Sequence, residues 1–342
     1  MGPRAAVTRS APRYSWRVQR WSDVSQIPED LDGSVVTLGN FDGVHRGHRA
    51  VLAEVLAQAS ERSLTSVALT FDPHPLAVVY PERAPHLITS LDHRLALLRD
   101  SGVDAVLVME FTQQFAQLTP HDFVEQVFVD ALGAKVVVVG RDTRFGVRNS
   151  GDVATLLELG EKFGFEVVTV GDVGADGQHS RWSSTQVREL LADGDVTGAA
   201  AVLGRPHRVT GVVVHGDHRG RELGYPTANL EQACAGLVPA DGVYAGWLLL
   251  PDLPPGTPDA TLPAAISIGT NPTFDGQERR VEAYVLDRTD LDLYGQSVTL
   301  EFVQRLRPTL KFESIDELLT TMAKDVDDCR RILSTIVPVA GA

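Results

Sequence analysis

SVVTLGNFDGVHRGH, residues 34–48, decides the fold of the first half of the chain. Residues 34–38 read as a short strand, and after the glycine-rich turn Val51, Leu52, Val55, Leu56 and Ala59 recur on one helical face. The same succession then repeats. SLTSVALTF (63–71) predicts a strand that ends at DPHP, where Pro73 and Pro75 stop ladder and helix alike. Residues 90–101 predict a helix, and DAVLVM (104–109) a buried strand. Thr119 predicts a helix cap, with Pro120 in the first turn and Asp122 near the positive end. KVVVVG (135–140) is apolar on both faces, which suits a parallel strand covered by helices. LLELGEKFG gives another helix and FEVVTV another strand, so an α/β unit is expected to run to about residue 196. GNFDGVHRGH, DPHP and GRDTRFGVRNSG each follow a strand. Right-handed crossovers would gather them on the C-terminal edge of the sheet, where such folds carry ligands.

SRWSSTQVRELLADGD (180–195) has the spacing of a capping box at Ser183 and Gln186, with Val187, Leu190 and Leu191 as anchors. Ser184, Thr185 and Arg188 would then meet an anion at the free N–H groups of the helix start. DVTGAAAVLG reads as a linker helix. From Arg208 the pattern is strand-like and turn-rich. RVTGVVVHG, GVYAGWLLL, LPAAISIGT, RRVEAYVLD and QSVTLEFV predict a mostly antiparallel barrel or sandwich. Ser314 and Glu317 set a second capping box. It opens a helix with Ile315, Leu318, Leu319, Met322 and Val326 on its apolar side.

The 342 residues are more than one ordinary domain, and 43% hydrophobic with 22% charged residues is a globular composition. A net charge of −14 excludes a broad basic field for nucleic acid or an anionic membrane. No apolar run is long enough for a transmembrane helix, and the basic stretch 1–20 lacks the apolar centre of a secretory signal and reads as a flexible tail. Cys234 and Cys329 cannot form a disulfide scaffold and suit a reducing, cytoplasmic setting.

His45 and His48 are three apart at a helix start, with Gly47 leaving room between them for a ligand. Two imidazoles there form an anion site able to stabilise a developing phosphoryl charge. A zinc site would need a third nearby ligand, which is missing. No Walker motif is present. In the second half, GVVVHGDHRGRELGYPTANL (211–230) combines a glycine-rich loop with Thr227 and Asn229, which alternate onto one strand face. Two neutral oxygens side by side suit Mg²⁺. Glu282 in VEAYVLD alternates with buried-type neighbours. If it faces a pocket, it can take a proton from an alcohol.

HRGH with SSTQVR resembles the HxGH nucleotidyltransferase superfamily. GNFDGVHRGH, TFDPHP (70–75) and RWSST narrow the likeness to the adenylyltransferase half of bacterial bifunctional riboflavin kinase/FMN adenylyltransferases. The second half resembles their kinase module through GRELGYPTAN, DGVYAG (241–246), IGTNPTF (268–274), VEAYVLD and DLYG (292–295). The resemblance implies a Rossmann-like α/β nucleotidyltransferase domain (21–196), a linker (197–207) and a riboflavin-kinase β-barrel with a terminal helix (208–342). It implies two reactions. Riboflavin and ATP give FMN, and FMN with a second ATP gives FAD and pyrophosphate.

On that resemblance His45 and His48 act on the ATP phosphates. Gly39, Phe41, Asp42, Arg181, Ser184, Thr185 and Arg188 bind nucleotide, as do Gly216, Gly220 and Arg221 in the second half. Thr227 and Asn229 hold Mg²⁺, and Glu282 is the base. His74, Asp142, Asn271 and Arg307 orient flavin. Asp142, Phe145 and Gly146 match the family's Gly-x-Asn/Asp-Phe-x-Phe-Gly segment, whereas Thr143 stands where an aromatic is usual. Partners are expected to be small-molecule substrates, with no nucleic acid or membrane and with self-association left open. A nucleotidyltransferase for another phosphorylated acceptor, or a flavin-binding regulator with little catalysis, are the competing readings.

Overall fold

A computed structural model describes residues 18–171, 182–216, 224–254, 256–257, 259–273 and 276–336, with the side chains of 271–273 and 276–278 outside the description. Six parallel strands form the first sheet: β1 (Gln19–Trp21), β2 (Ser34–Leu38), β3 (Thr65–Asp72), β4 (Ala105–Glu110), β5 (Ala134–Gly140) and β6 (Glu166–Val170). Their order is β1-β4-β3-β2-β5-β6, so the strand sequence reverses between β2 and β5. β1 corrects the expected boundary of the N-terminal tail. Gln19 and Arg20 already pair with Ala105 and Val106, and Trp21 is buried.

Alternation along each strand feeds two cores. Val35, Val136 and Val138 meet Val55 and Ala59 of α1 (Arg46–Arg62), while Ala68 and Val106 meet Leu52 of α1 and Leu95 of α3 (Leu91–Asp100). On the other face Val36, Val67, Leu69 and Val137 pack on Phe123, Phe128 and Leu156. These last belong to α4 (Pro120–Phe123), its π-helical continuation Val124–Ala131, and α5 (Val153–Phe163). Thr119 caps α4 as its sequence predicts, accepting from the Asp122 N–H. A further helix, α2 (Pro75–Val79), is a short one that follows DPH.

The second half is a closed barrel ordered β10-β11-β8-β7-β12-β9. Its strands are β7 (His207–Val214), β8 (Thr227–Leu230), β9 (Gly242–Leu249), β10 (Thr261–Thr273), β11 (Gly276–Val285) and β12 (Ser297–Arg307). Every pairing is antiparallel. The C-terminal helix (Ile315–Leu333) docks through Val326, Cys329, Ile332 and Leu333. Ile315, expected on its apolar side, is instead 64% exposed, because contact with the barrel falls on the last turns. Ser314 accepts from the Glu317 N–H, and the Glu317 carboxylate accepts from the Glu313 N–H rather than closing the box on Ser314.

The halves share a core. Val187 and Leu191 of α6 (Ser184–Ala192) and Val196, Ala199, Val202 and Leu203 of α7 (Val196–Leu203) are buried in one cluster with the barrel interior. The expected linker is therefore a packed wedge. Arg205 donates to the Gly43 carbonyl at 2.8 Å, and Leu237 N–H to the Ile88 carbonyl at 3.4 Å. Beside this seam lies the buried ion pair Arg208–Glu301 at 2.8 Å.

Two histidines at the seam make stability depend on pH. Burial, reinforced by nearby Arg205, pushes His207 down to about 4 and His93 to about 3, from an ordinary 6.5. The unfolded chain binds protons near 6.5 that the folded chain refuses. This stability is complete above 6.5 and is lost as pH falls toward 4 and then 3. Each group is worth about 1.4 kcal/mol per pH unit in that window. Urea unfolding at stepped pH should show stability falling by a few kcal/mol from about pH 6.5 to 5, with the slope roughly halved in His207→Asn.

Candidate functional site

The reversal of strand order between β2 and β5 opens a crevice at the C-terminal edge of the sheet. A cavity of about 520 Å³ occupies it, lined from all three unusual segments: Gly39 to Phe41, His74, and Gly140 to Gly146. His45, His48, Trp182, Ser183 and Ser184 complete its polar wall.

The β2–α1 turn is wound tightly. Phe41, Gly43 and Val44 all have positive φ (48°, 81° and 38°), an unfavourable conformation for a β-branched valine. Burial of Phe41 and Val44 holds the turn closed. His45 then caps α1, its Nδ1 accepting from the His48 N–H at 3.3 Å. With Nδ1 accepting, the neutral ring carries its proton on Nε2. The two imidazoles stack, centroids 3.7 Å apart, and Phe41 meets the His48 ring edge-on at 5.2 Å.

Gly47 borders the cavity, but the stacked imidazoles leave no gap between them for a ligand, which corrects that part of the sequence reading. A Cβ on Gly47 would lie 3.0 Å from the His45 ring and 3.2 Å from the Trp182 carbonyl. Gly39 is similarly close-packed on the Phe41 ring.

Asp42 is buried with four donors. The Ile88 and Thr89 N–H groups donate at 3.1 Å each, the Thr89 hydroxyl at 3.3 Å, and Arg188 Nη2 at 2.5 Å. Arg188 Nε donates to the His86 carbonyl, and the Ser184 hydroxyl donates to the Asp42 carbonyl at 2.8 Å. The start of α6, capped by Ser183 as predicted, is thereby fastened to the histidine turn. Thr185 is exposed on its first turn. Arg181 lies outside the described residues.

His74 caps α2, Nδ1 accepting from the Leu76 N–H at 3.2 Å, and its Nε2 lies 3.1 Å from the Asn40 amide. The amide atom of Asn40 that faces Nε2 is Nδ2. Burial pushes the His74 pKa down. Arg188 and Arg94 add to this and Asp42 opposes it, so the ring is neutral at physiological pH. Asp142 is exposed at the cavity, its carboxylate folded over Gly140. Phe71, Phe111 and Phe115 form an aromatic cluster in the wall, with centroids 5.5–5.9 Å apart. The sequence reading missed Asn40, Phe111, Phe115 and Trp182. Asn40 and Trp182 lie inside the quoted GNFDGVHRGH and RWSST segments without having been singled out, and Phe111 and Phe115 carry no motif and follow the end of β4.

A second constellation lies on the outer face of the barrel. Register pairs Glu282 with Asn229 and Tyr284 with Thr227, while the intervening Ala228, Val281 and Ala283 are buried inside. Thr227 Oγ1 approaches Glu282 Oε2 at 3.4 Å, and Asn229 Nδ2 donates to Thr227 Oγ1 at 3.2 Å. The amide nitrogen is thus turned inward on the strand, which leaves Asn229 Oδ1, Thr227 Oγ1 and the Glu282 carboxylate as oxygen donors, a set suited to Mg²⁺. Gly216 lies against Asn229, where a Cβ would come within 2.6 Å of its amide. The His215 ring lies against that of Tyr294 of the DLYG segment, centroids 4.0 Å apart and planes tilted by 31°.

Gly220 and Arg221 lie outside the described residues, as does the Asn271 side chain, whose backbone pairs with Glu278. Arg307 clamps the C-terminal helix through Asp325, with Nη2 donating at 2.7 Å and Nε at 3.0 Å, so its guanidinium is spent on the fold rather than on orienting flavin.

Comparison with known proteins agrees with this division. Residues 27–186 match the FAD synthetase family and residues 203–333 the riboflavin kinase family. The bifunctional riboflavin kinase/FMN adenylyltransferase of Escherichia coli K12 is 37% identical over 92% of this chain and 97% of its own. That of Pseudomonas fluorescens is 38% identical over 88% and 93%. A crystal structure from Streptococcus pneumoniae, described as a macrolide-efflux protein, superposes with a TM-score of 0.80 at 32% identity, covering 92% of this chain and 99% of that one. Among the described residues no helix is long and apolar enough to cross a membrane. With both family matches in one chain and in this order, the chain belongs to the bifunctional riboflavin kinase/FMN adenylyltransferases, enzymes that phosphorylate riboflavin with ATP and adenylylate the resulting FMN to FAD.

Proposed function

We propose that the cavity at the sheet edge is the adenylyl-transfer site and the outer face of β8 and β11 the kinase site. The observation that carries the first is the stacked His45–His48 pair sharing one cavity with the α6 helix start. In the transfer, an FMN phosphate oxygen attacks the α-phosphorus of ATP and pyrophosphate leaves. The attacking oxygen is already anionic, so alignment and charge stabilisation suffice. His45 and His48 donate to the phosphates, with the Ser183–Ser184 helix start opposite. Arg188 uses Nε and Nη2 on His86 and Asp42, and Nη1 is the donor assigned to phosphate. The Phe71, Phe111 and Phe115 cluster supplies the apolar face that a flavin ring needs, and compensates for Thr143. His74 and Asp142 border the same space.

In the kinase site Glu282 takes the proton of the ribityl 5′-hydroxyl as that oxygen attacks the γ-phosphorus of ATP, the bond from the γ-phosphorus to the bridging oxygen breaks and ADP leaves. Thr227 and Asn229 would hold Mg²⁺, which when bound neutralises phosphate charge. Gly216 makes room for the Asn229 amide, and we assign it with Gly220 and Arg221 to nucleotide binding. We place the enzyme in the cytoplasm, where its two free thiols persist, and its acidity argues against nucleic-acid partners.

Product analysis over time with riboflavin, ATP and Mg²⁺ tests the whole. FMN should appear first and FAD follow, and EDTA should stop FMN formation. FMN formation that persists without divalent metal would overturn the assignment of Thr227 and Asn229.

A further inference from the structure

Behind the wall of the adenylyl-transfer cavity sits a charged side chain that neither the family motifs nor the cavity lining includes. Arg94 of α3 is 2% exposed, among the largest fully buried side chains of the protein. Its neighbours on the helix, Leu95, Leu97 and Leu98, are ordinary core residues. Its guanidinium reaches across the ends of two strands. Nη1 donates to the Asn40 carbonyl at 2.9 Å, at the exit of β2, and Nη2 to the Phe71 carbonyl at 3.0 Å, at the exit of β3. The Asp72 carboxylate lies 3.8 Å away, and among the described residues Nε has no partner.

An arginine with an unpaired nitrogen is an expensive way to fill a core. Burying it costs desolvation that its one long ion pair does not return, and an apolar residue of the same volume would pack there at less cost. The arrangement makes sense as a clamp. The two carbonyls belong to the segments that carry Asn40 and His74, whose side chains meet at 3.1 Å in the cavity wall. Among the described residues, the Thr70 hydroxyl is the other side-chain donor to the Asn40 carbonyl, at 3.3 Å.

We infer that Arg94 is a positioning residue for adenylyl transfer, fixing the spacing between the β2 and β3 exits so that Asn40 and His74 meet across the cavity. This rests on the reading of that cavity as the transfer site. Lysine keeps the charge and one of the two bonds, whereas methionine keeps neither. In Arg94→Met the wall loosens without any group that touches substrate being lost.

The test compares Arg94→Met, Arg94→Lys and His74→Ala, each assayed well below its own unfolding midpoint for both reactions. Arg94→Met should lower kcat/KM for FAD formation at least about tenfold. The loss should fall mainly on kcat, with FMN formation within about twofold of the parent. Arg94→Lys, which keeps one of the two bonds, should recover part of the loss. If Arg94→Met leaves FAD formation unchanged while His74→Ala impairs it, the clamp is refuted and the site stands. If His74→Ala is also without effect, the reading of the cavity falls first. Equal losses in both reactions, or no recovery with lysine, would reduce Arg94 to a core residue and overturn the inference.

Discussion

His48→Ala lowers the rate of FAD formation from FMN and ATP by about 10²–10³-fold, the usual consequence of removing one preorganised donor from a site of developing charge. It leaves riboflavin phosphorylation within about twofold of the parent. The reasoning is geometric. The His48 ring lies 3.7 Å from that of His45, and its own backbone N–H fixes the His45 tautomer. That N–H survives the substitution, so His45 stays capped and correctly protonated while one imidazole is lost. Helix α1 is otherwise anchored by Leu52, Val55 and Ala59, and alanine suits its first turn, so the fold is spared. The measurement is a coupled pair of assays on one preparation, with riboflavin for the first step and supplied FMN for the second. If both activities fall together in a folded protein, the sites are not separable. If neither falls, the imidazole pair is not part of the chemistry.

The separation matters because the two halves are not structurally independent. Val187 and Leu191 of α6 are buried with the barrel interior, and Arg305 of β12 donates to the Asp193 carbonyl at the C-terminal end of the same helix. The helix start that faces the adenylyl cavity is therefore braced from the kinase side. Chemical separability and mechanical coupling coexist. Point changes at either site should split the activities, while changes in the shared core should lower both.

Periodicity in the sequence was enough to locate β2 to β6 and to foresee that GNFDGVHRGH, DPHP and GRDTRFG would meet, because a parallel sheet with right-handed crossovers leaves their positions little freedom. Capping residues Thr119, Ser183 and Ser314 were equally legible, since a cap is decided by its own short segment. What stayed hidden depends on tertiary partners. Gln19–Trp21 forms a strand because the open edge of β4 lies beside it. Arg307 turns to Asp325 because the C-terminal helix arrives there, and Ile315 stands in solvent because that helix docks by its far end. Arg188 is paired to a carboxylate more than a hundred residues away, which no local pattern announces. The barrel's register, by contrast, was half legible. Alternation put Thr227 and Asn229 on one strand face and Glu282 opposite its apolar neighbours, but only cross-strand pairing brought them together.

Glu282→Gln is the corresponding test of the second site, and its expected effect is as large. If Glu282 is the base, amide for carboxylate removes proton acceptance and lowers FMN formation by about 10²–10⁴-fold. FAD formation from supplied FMN should be unchanged. The substitution is nearly isosteric, and the amide oxygen can still accept from the Thr227 hydroxyl, a 3.4 Å contact in the parent, so little stability is at stake. Because register seats Glu282 opposite Asn229, a carboxylate holding only metal would give a different signature. Raising Mg²⁺ would then restore most of the lost rate in Glu282→Gln, whereas a lost base is indifferent to metal and is partly relieved at higher pH, where the hydroxyl ionises more readily. Full activity at ordinary Mg²⁺ would exclude both roles and send the search for the base elsewhere on the outer face of β8 and β11.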